Sequence, residues 1–135
     1  MPDEQASEVL RWLDHAAGDL RMALAIAQDA DLPASGACFH AQQCAEKSLK
    51  AALIHAGIEP PKLHNLNALL DLIPESWRVR AHADLEELTF WAVDSRYPSD
   101  ADDASPEDAQ HAINTARRVP EAVAYDIRRT WARTD

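Results

Sequence analysis

Glycine is scarce in this chain, with three residues among 135. A β-rich fold uses glycine in its tight turns and bulges, so this shortage argues against one. No stretch shows the period-two alternation of a strand either. Long apolar runs are missing as well: no segment approaches the roughly 20 apolar residues of a membrane span. No signal-peptide pattern is visible, and a cytoplasmic protein without a membrane partner is expected. Cysteine is limited to Cys38 and Cys44. Six residues apart on one helix, the two thiols point about 120° away from each other. That is poor geometry for a mutual disulfide, and reduced thiols are expected.

Cations are short too, 13 Lys and Arg against 23 Asp and Glu, for a formal net charge of −10. An acidic surface repels a phosphate backbone, so nucleic-acid contact requires a local basic patch. Arg117, Arg118, Arg128, Arg129 and Arg133 are candidates, and they serve equally well as solvated charges near a helix C-terminus.

The chain does have hydrophobic residues, 47% of the total. Many are alanine, which predicts a core of small side chains and closely approaching helices. The length fits one domain, residues 1–135. Apolar periodicity predicts a first helix over residues 4–30, with Val9, Leu13, Ala16, Ala17, Leu20, Leu24 and Ala27 on one stripe. A second helix is predicted from Pro33 to Ala56, with Gly57 as its left-handed cap. A short helix follows from Asn65 to Ile73, with Asn65 or His64 near its N-cap. Pro74 then opens a helix to Asp94 with Trp77, Ala81, Leu85, Leu88 and Ala92 inward. Residues 94–104 are the longest loop. Ser105-Pro106-Glu107-Asp108 starts the last helix with a hydroxyl cap, a first-turn proline and acids at the positive end. Its stripe is Ala109, Ile113, Ala116, Val119, Val123 and Ile127, and Pro120 is expected to kink or locally break it. The sum is an all-α, up-down four-helix bundle with one additional short helix. Trp12, Met22, Ile26, Val79 and Phe90 fall off the inward stripes and suggest a second apolar surface.

The second helix is the unusual one. Ala37, Ala41, Cys44, Ala45, Ser48, Ala51 and Ala52 form a small-residue face suited to the centre of a bundle. Gln42, Gln43, Glu46, Lys47 and Lys50 crowd the other side, more polar than a core helix requires. His40, Gln43 and Lys47 lie on neighbouring turns. They suit a pocket for a nucleotide or RNA phosphate, with Lys47 as charge, His40 as proton or hydrogen-bond partner and Gln43 on a base edge. They suit equally a polar network that sets the register between helices. His40 and Cys44 share a helix face, but no Cys-x-x-Cys or second His/Cys pair accompanies them, and no metal site or cofactor is assigned.

The run Phe39-His40-Ala41-Gln42-Gln43-Cys44-Ala45-Glu46-Lys47-Ser48-Leu49-Lys50, then His64-Asn65-Leu66, then Ser95-Arg96-Tyr97-Pro98, resembles the HEPN domain family (higher eukaryotes and prokaryotes nucleotide-binding) in order and spacing. The resemblance covers nearly the whole chain and implies the same helical-bundle fold. It also implies a nucleotide- or RNA-associated role, a homodimer with sites at the subunit cleft, and pairing with a minimal nucleotidyltransferase as toxin and antitoxin. Arg96 is the residue expected to hold phosphate, through a bidentate guanidinium contact, with Tyr97 beside it to stack on a base. Alternatively Arg96 anchors its loop to Asp94 or Glu46, and Tyr97 packs on the bundle.

Many HEPN proteins are metal-independent ribonucleases whose signature is an arginine and a histidine separated by four to six residues. The histidine acts as acid or base on the ribose hydroxyl, and the arginine stabilises the phosphate. Here Arg78–His82 and Arg11–His15 each have three residues between them, and Arg96 has no histidine before His111. A non-catalytic module is therefore expected. The alternatives are a ribonuclease toxin using Arg96 with His40 or His64, and a purely structural dimeric interaction module.

Overall fold

Apolar residues recur at helical spacing along most of this chain, and the computed structural model is helical over most of that length. It describes residues 2–81, 85–91 and 104–133, and no strand occurs among them. Three long helices dominate: α1 (Pro2–Ala27), α2 (Ala34–His55) and α5 (Pro106–Arg133). Short pieces lie between the last two: α3 (Leu66–Leu70), a 3-10 turn (Arg78–Ala81) and α4 (Glu86–Thr89).

The centre is α2, packed against α1 on one side and α5 on the other. Every member of its small-residue face is buried, and Leu49, Leu53 and Ile54 add the bulk of its apolar volume. All six residues of the expected α5 stripe are in the core. On α1, Val9, Ala16 and Ala23 are fully buried, while Leu13, Leu20 and Leu24 are packed beside them. Helices α1 and α2 run antiparallel. Gln5 donates to the Ile54 carbonyl at 2.8 Å near one end, and Asp19 meets His40 and Lys47 further along.

The helix ends follow local chemistry. Gly57 has φ +81°, with Gly57 N–H donating to Ile54 and Ile58 N–H to Leu53, which closes α2 in a Schellman arrangement. Asn65 accepts from the Ala68 amide to cap α3. At the start of α5, Ser105 Oγ accepts from the Asp108 amide at 3.0 Å, and the Asp108 carboxylate accepts from the Ser105 amide at 2.9 Å, a reciprocal capping box. Helix α5 continues unbroken through Pro120, so the ring removes one internal hydrogen bond without ending the helix.

The expected long helix from Pro74 to Asp94 is not formed over its described residues. The 3-10 turn and α4 stand there instead. The cause lies 48 residues away. Asp126 of α5, fully buried, accepts from the Arg78 amide at 2.7 Å and the Val79 amide at 3.0 Å. In a helix those amides would point back to carbonyls one turn earlier. Val79 is consequently a core residue, not part of an outer apolar surface, whereas Ala81 is exposed. Leu85 and Leu88 remain inward as expected.

Candidate functional site

The polar half of α2 divides into two networks, each built around a buried carboxylate. The first is Asp19, contributed by α1 and 7% exposed. Its Oδ1 lies 2.8 Å from His40 Nδ1 and its Oδ2 2.7 Å from Lys47 Nζ. A carboxylate only accepts, so the His40 Nδ1 carries the proton. His40 and Lys47 are two helical turns apart on α2, and the α1 carboxylate reaches both. The second centre is Glu46, 4% exposed. It accepts from Lys50 Nζ at 3.2 Å, His64 Nδ1 at 2.9 Å and Gln42 Nε2 at 3.2 Å. Gln42 also donates to the His64 carbonyl, and Gln43 donates to Gln42 Oε1 at 2.8 Å.

Of the three residues expected to share a pocket on α2, His40 and Lys47 are thus brought together through Asp19. Gln43 belongs to the other network, which ties the segment after α2 to the helix through His64. Glu46 is satisfied by these partners. Arg96 and Tyr97 lie outside the described residues, as do Asp94, Pro98 and His82.

Lys47 lines two adjoining surface depressions. One, about 290 Å³, is walled by Arg11, Trp12, His15 and Lys47. The other, about 520 Å³, continues along α1 past Asp14, Gly18, Asp19, Arg21 and Met22. Lys47 Nζ is therefore a cation fixed by a buried carboxylate at the mouth of a groove. That arrangement holds a charge in place for an anionic ligand and shortens the reorganisation needed on binding. Lys50 Nζ sits 5.9 Å from the centre of the Trp12 ring, fixing the other end of that wall.

The groups whose pKa values are displaced are structural. Burial, with Asp19 and Asp108 nearby, pushes the Cys44 and Cys38 thiols up to about 12, so neither is a ready nucleophile or ligand. No three His, Cys, Asp or Glu residues among those described are grouped to hold a metal ion. His55 packs against the indoles of Trp77 and Trp131, with ring centres 5.8 and 5.7 Å away and its Nε2 without a hydrogen-bond partner among the described residues. Desolvation lowers its pKa from the ordinary 6.5.

Asp19 and Asp126 escaped the reading of the sequence. Each stands as an acid within a helix where an apolar neighbour would fit the pattern equally well. An acid falling on the inward stripe was the available signal.

With this geometry in view, the comparisons with known proteins are specific. The HEPN domain profile matches residues 9–127. The crystal structure of an archaeal HEPN homologue superposes with a TM-score of 0.68 at 31% identity, covering 89% of this chain and 98% of that one. No curated protein matches the chain.

Proposed function

Because this chain belongs to the HEPN domain family, we propose that it is a non-catalytic, nucleotide- or RNA-associated module. In this reading it acts as a homodimer beside a minimal nucleotidyltransferase, in a toxin–antitoxin-like pair. The observation that carries the ligand part is Lys47. Asp19 holds its ammonium at 2.7 Å, and it lines both depressions between α1 and α2. His40 stands with it as the second partner of Asp19, Gln43 supplies amide hydrogen-bonding capacity one turn away, and Arg96 and Tyr97 complete the proposed set. The absence of an arginine and histidine at the ribonuclease spacing supports a non-catalytic role. The exposure of Met22 (50%) and Phe90 (49%) supports a further partner surface.

A second reading has an observation of its own. Asp19 engages both His40 and Lys47, as a clamp setting the α1–α2 register would, and this favours a structural interaction module. A thermal-shift panel separates the two, using nucleoside mono- and triphosphates with wild type, Lys47→Ala and Arg96→Ala. Each shift is measured from the same protein's unliganded Tm, because Lys47→Ala also weakens a partly buried pair. A binder gains about 2.7 kcal/mol at ligand a hundredfold above Kd, and that gain is lost in Lys47→Ala. No shift with any nucleotide overturns the free-nucleotide reading and leaves the structural one.

A further inference from the structure

Asp126 does more than reshape residues 78–81: it fixes an arginine over a tyrosine. Fully buried, it accepts from the Arg78 and Val79 amides at 2.7 and 3.0 Å. With its backbone pinned there, Arg78 lays its guanidinium carbon 3.8 Å from the centre of the Tyr125 ring. Arg129, one turn further along α5, places its own guanidinium carbon 5.9 Å from the same ring centre. Its Nη2 is anchored by the Ser76 carbonyl at 3.4 Å and lies 3.8 Å from Asp126 Oδ1. One tyrosine ring thus gathers two guanidiniums, and Tyr125 is itself exposed.

The same face of α5 continues toward its end. Arg128 lies three residues after Tyr125 and three before Trp131, the spacing of neighbours on a helix surface. All three are exposed. Trp131 makes a T-shaped contact with His55 of α2, ring centres 5.7 Å apart. Aromatic rings already held in this way lose little freedom when a partner covers them. Tyr, Trp and Arg are also the side chains that concentrate at the energetic centres of protein interfaces.

The positive charge of this ridge is largely unanswered within the chain. The Arg78 and Arg128 side chains have no hydrogen bond or ion pair among the described residues. The neighbouring acids are engaged elsewhere: Asp126 by two amides, and Asp71 and Glu75 at 3.6 and 3.9 Å from Arg80. Glu121, exposed one turn before Tyr125, borders the ridge. A guanidinium resting on an aromatic face can still direct its N–H fork at a carboxylate. Two guanidiniums around one ring repel each other, and a carboxylate between them relieves that repulsion. We infer that this ridge docks a short acidic segment of a partner protein. One carboxylate side chain takes the forks of Arg78 and Arg129, a second meets Arg128, and an apolar side chain packs against Trp131. A nucleic-acid strand is a poorer fit, because it carries a charge at every nucleotide past the ridge and over a chain of formal net charge −10. The ridge shares no residue with the depressions beside Lys47, so it stands whether or not a nucleotide binds there.

The test assumes no peptide sequence. Random heptapeptides displayed on phage as N-terminal fusions, so that none has a free C-terminal carboxylate, are selected against the full chain. The expected selection enriches Asp and Glu beside an aromatic or aliphatic residue. The most enriched peptide is synthesised with an amidated C-terminus, and fluorescence anisotropy gives its affinity. Arg78→Gln and Arg128→Gln each weaken binding about tenfold, and added salt weakens it in the wild type. Arg78→Gln keeps the backbone amide that Asp126 takes, and Arg128 is exposed, so both variants fold. Arg21→Gln, which removes the same charge from α1, leaves the affinity unchanged. Arg78→Lys keeps a cation over Tyr125 but loses the planar fork. Its Tm stays near the wild-type value while its peptide affinity falls, which a merely structural clamp would not produce.

Acidic peptides that lose affinity in both glutamine variants, and keep it in Arg21→Gln, support the site. Selected peptides without acidic enrichment overturn it, as does an affinity unchanged in Arg78→Gln and Arg128→Gln, or one that Arg78→Lys fully retains. An octauridylate that displaces the acidic peptide at a lower concentration than the unlabelled peptide does would assign the ridge to nucleic acid, and would overturn it as well.

Discussion

His55 shows how one side chain carries a pH dependence. Its ring packs against two indoles, with Nε2 buried and without a partner among the described residues, and desolvation lowers its pKa below 6.5. Between the lowered native value and 6.5, the unfolded chain binds a proton at this site and the folded chain does not. Stability therefore falls as pH drops through that interval, and the penalty is absent above it. The expected outcome in urea titrations at about pH 7.5 and about pH 5.5 is a smaller acid loss for His55→Phe than for wild type. The comparison isolates the site, because the other five histidines are present in both proteins. Equal losses would show that the imidazole gains a partner on protonation. Phenylalanine keeps a planar ring against Trp77 and Trp131, so the packing change is small.

Asp126 and Asp19 work at the same scale, each a buried acid that reaches a distant part of the chain. Asp126 takes two backbone amides, and Asp19 takes two side chains. Their removal would have different consequences. Loss of Asp126 strands two amides that have no other acceptor among the described residues, at about 1–3 kcal/mol for each buried group left unsatisfied. Loss of Asp19 frees His40 and Lys47, whose side chains are 21% and 26% exposed and can recover part of their hydration.

Element ends are where local sequence decided the structure. The Ser105–Asp108 box and the Asn65 cap each satisfy amides that a helix start leaves free. At the other end of α2, Gly57 adopts φ +81°, and a Cβ there would meet nothing within 4 Å. The cost of a substitution is therefore conformational and not steric against neighbours. Gly57→Ala should destabilise the chain by about 1 kcal/mol, the penalty of placing an L side chain in the left-handed region. Equilibrium denaturation checks this, and the m-value should stay constant because the core is untouched. A neutral result would mean that the Schellman turn re-forms with another backbone geometry. Helix α3 was legible for the same reason as α2, since Asn65 marks its start. The stretch after Pro74 was not, because its turns depend on a carboxylate 48 residues downstream.

At the scale of the whole molecule, α2 lies between α1 and α5, and its small residues are the centre of the core. Both cysteines are 0% exposed on this helix, and burial raises both thiols to about 12. Neither is a thiolate at neutral pH. Iodoacetamide should therefore modify no cysteine in the native chain over a time in which it modifies both in denaturant, as mass spectrometry would count. Modification of one cysteine under native conditions would reveal a local opening of α2 well below the global free energy of unfolding. Charge is also a whole-molecule property with a local exception. The acidic total repels nucleic acid over most of the surface, while Arg11 and Arg21 line the depressions along α1.

By itself the sequence determined the helical class, the three long helices, the α5 core stripe, the small-residue face of α2, and the caps at Asn65, Gly57 and Ser105. All of these depend on residues within a turn or two of one another, where spacing and local hydrogen bonding decide the outcome. It also carried the order of motifs by which the chain resembles the HEPN family. Only the tertiary structure decided which partners the polar half of α2 would take: Asp19 for His40 and Lys47, and His64 for Glu46. It also turned residues 78–81 into a 3-10 piece through Asp126, and set Lys47 of α2 against two adjoining depressions along α1. These outcomes come from side chains on different helices meeting in space. A buried carboxylate accepts from whichever donors the packing brings within reach, and spacing along the chain does not name them.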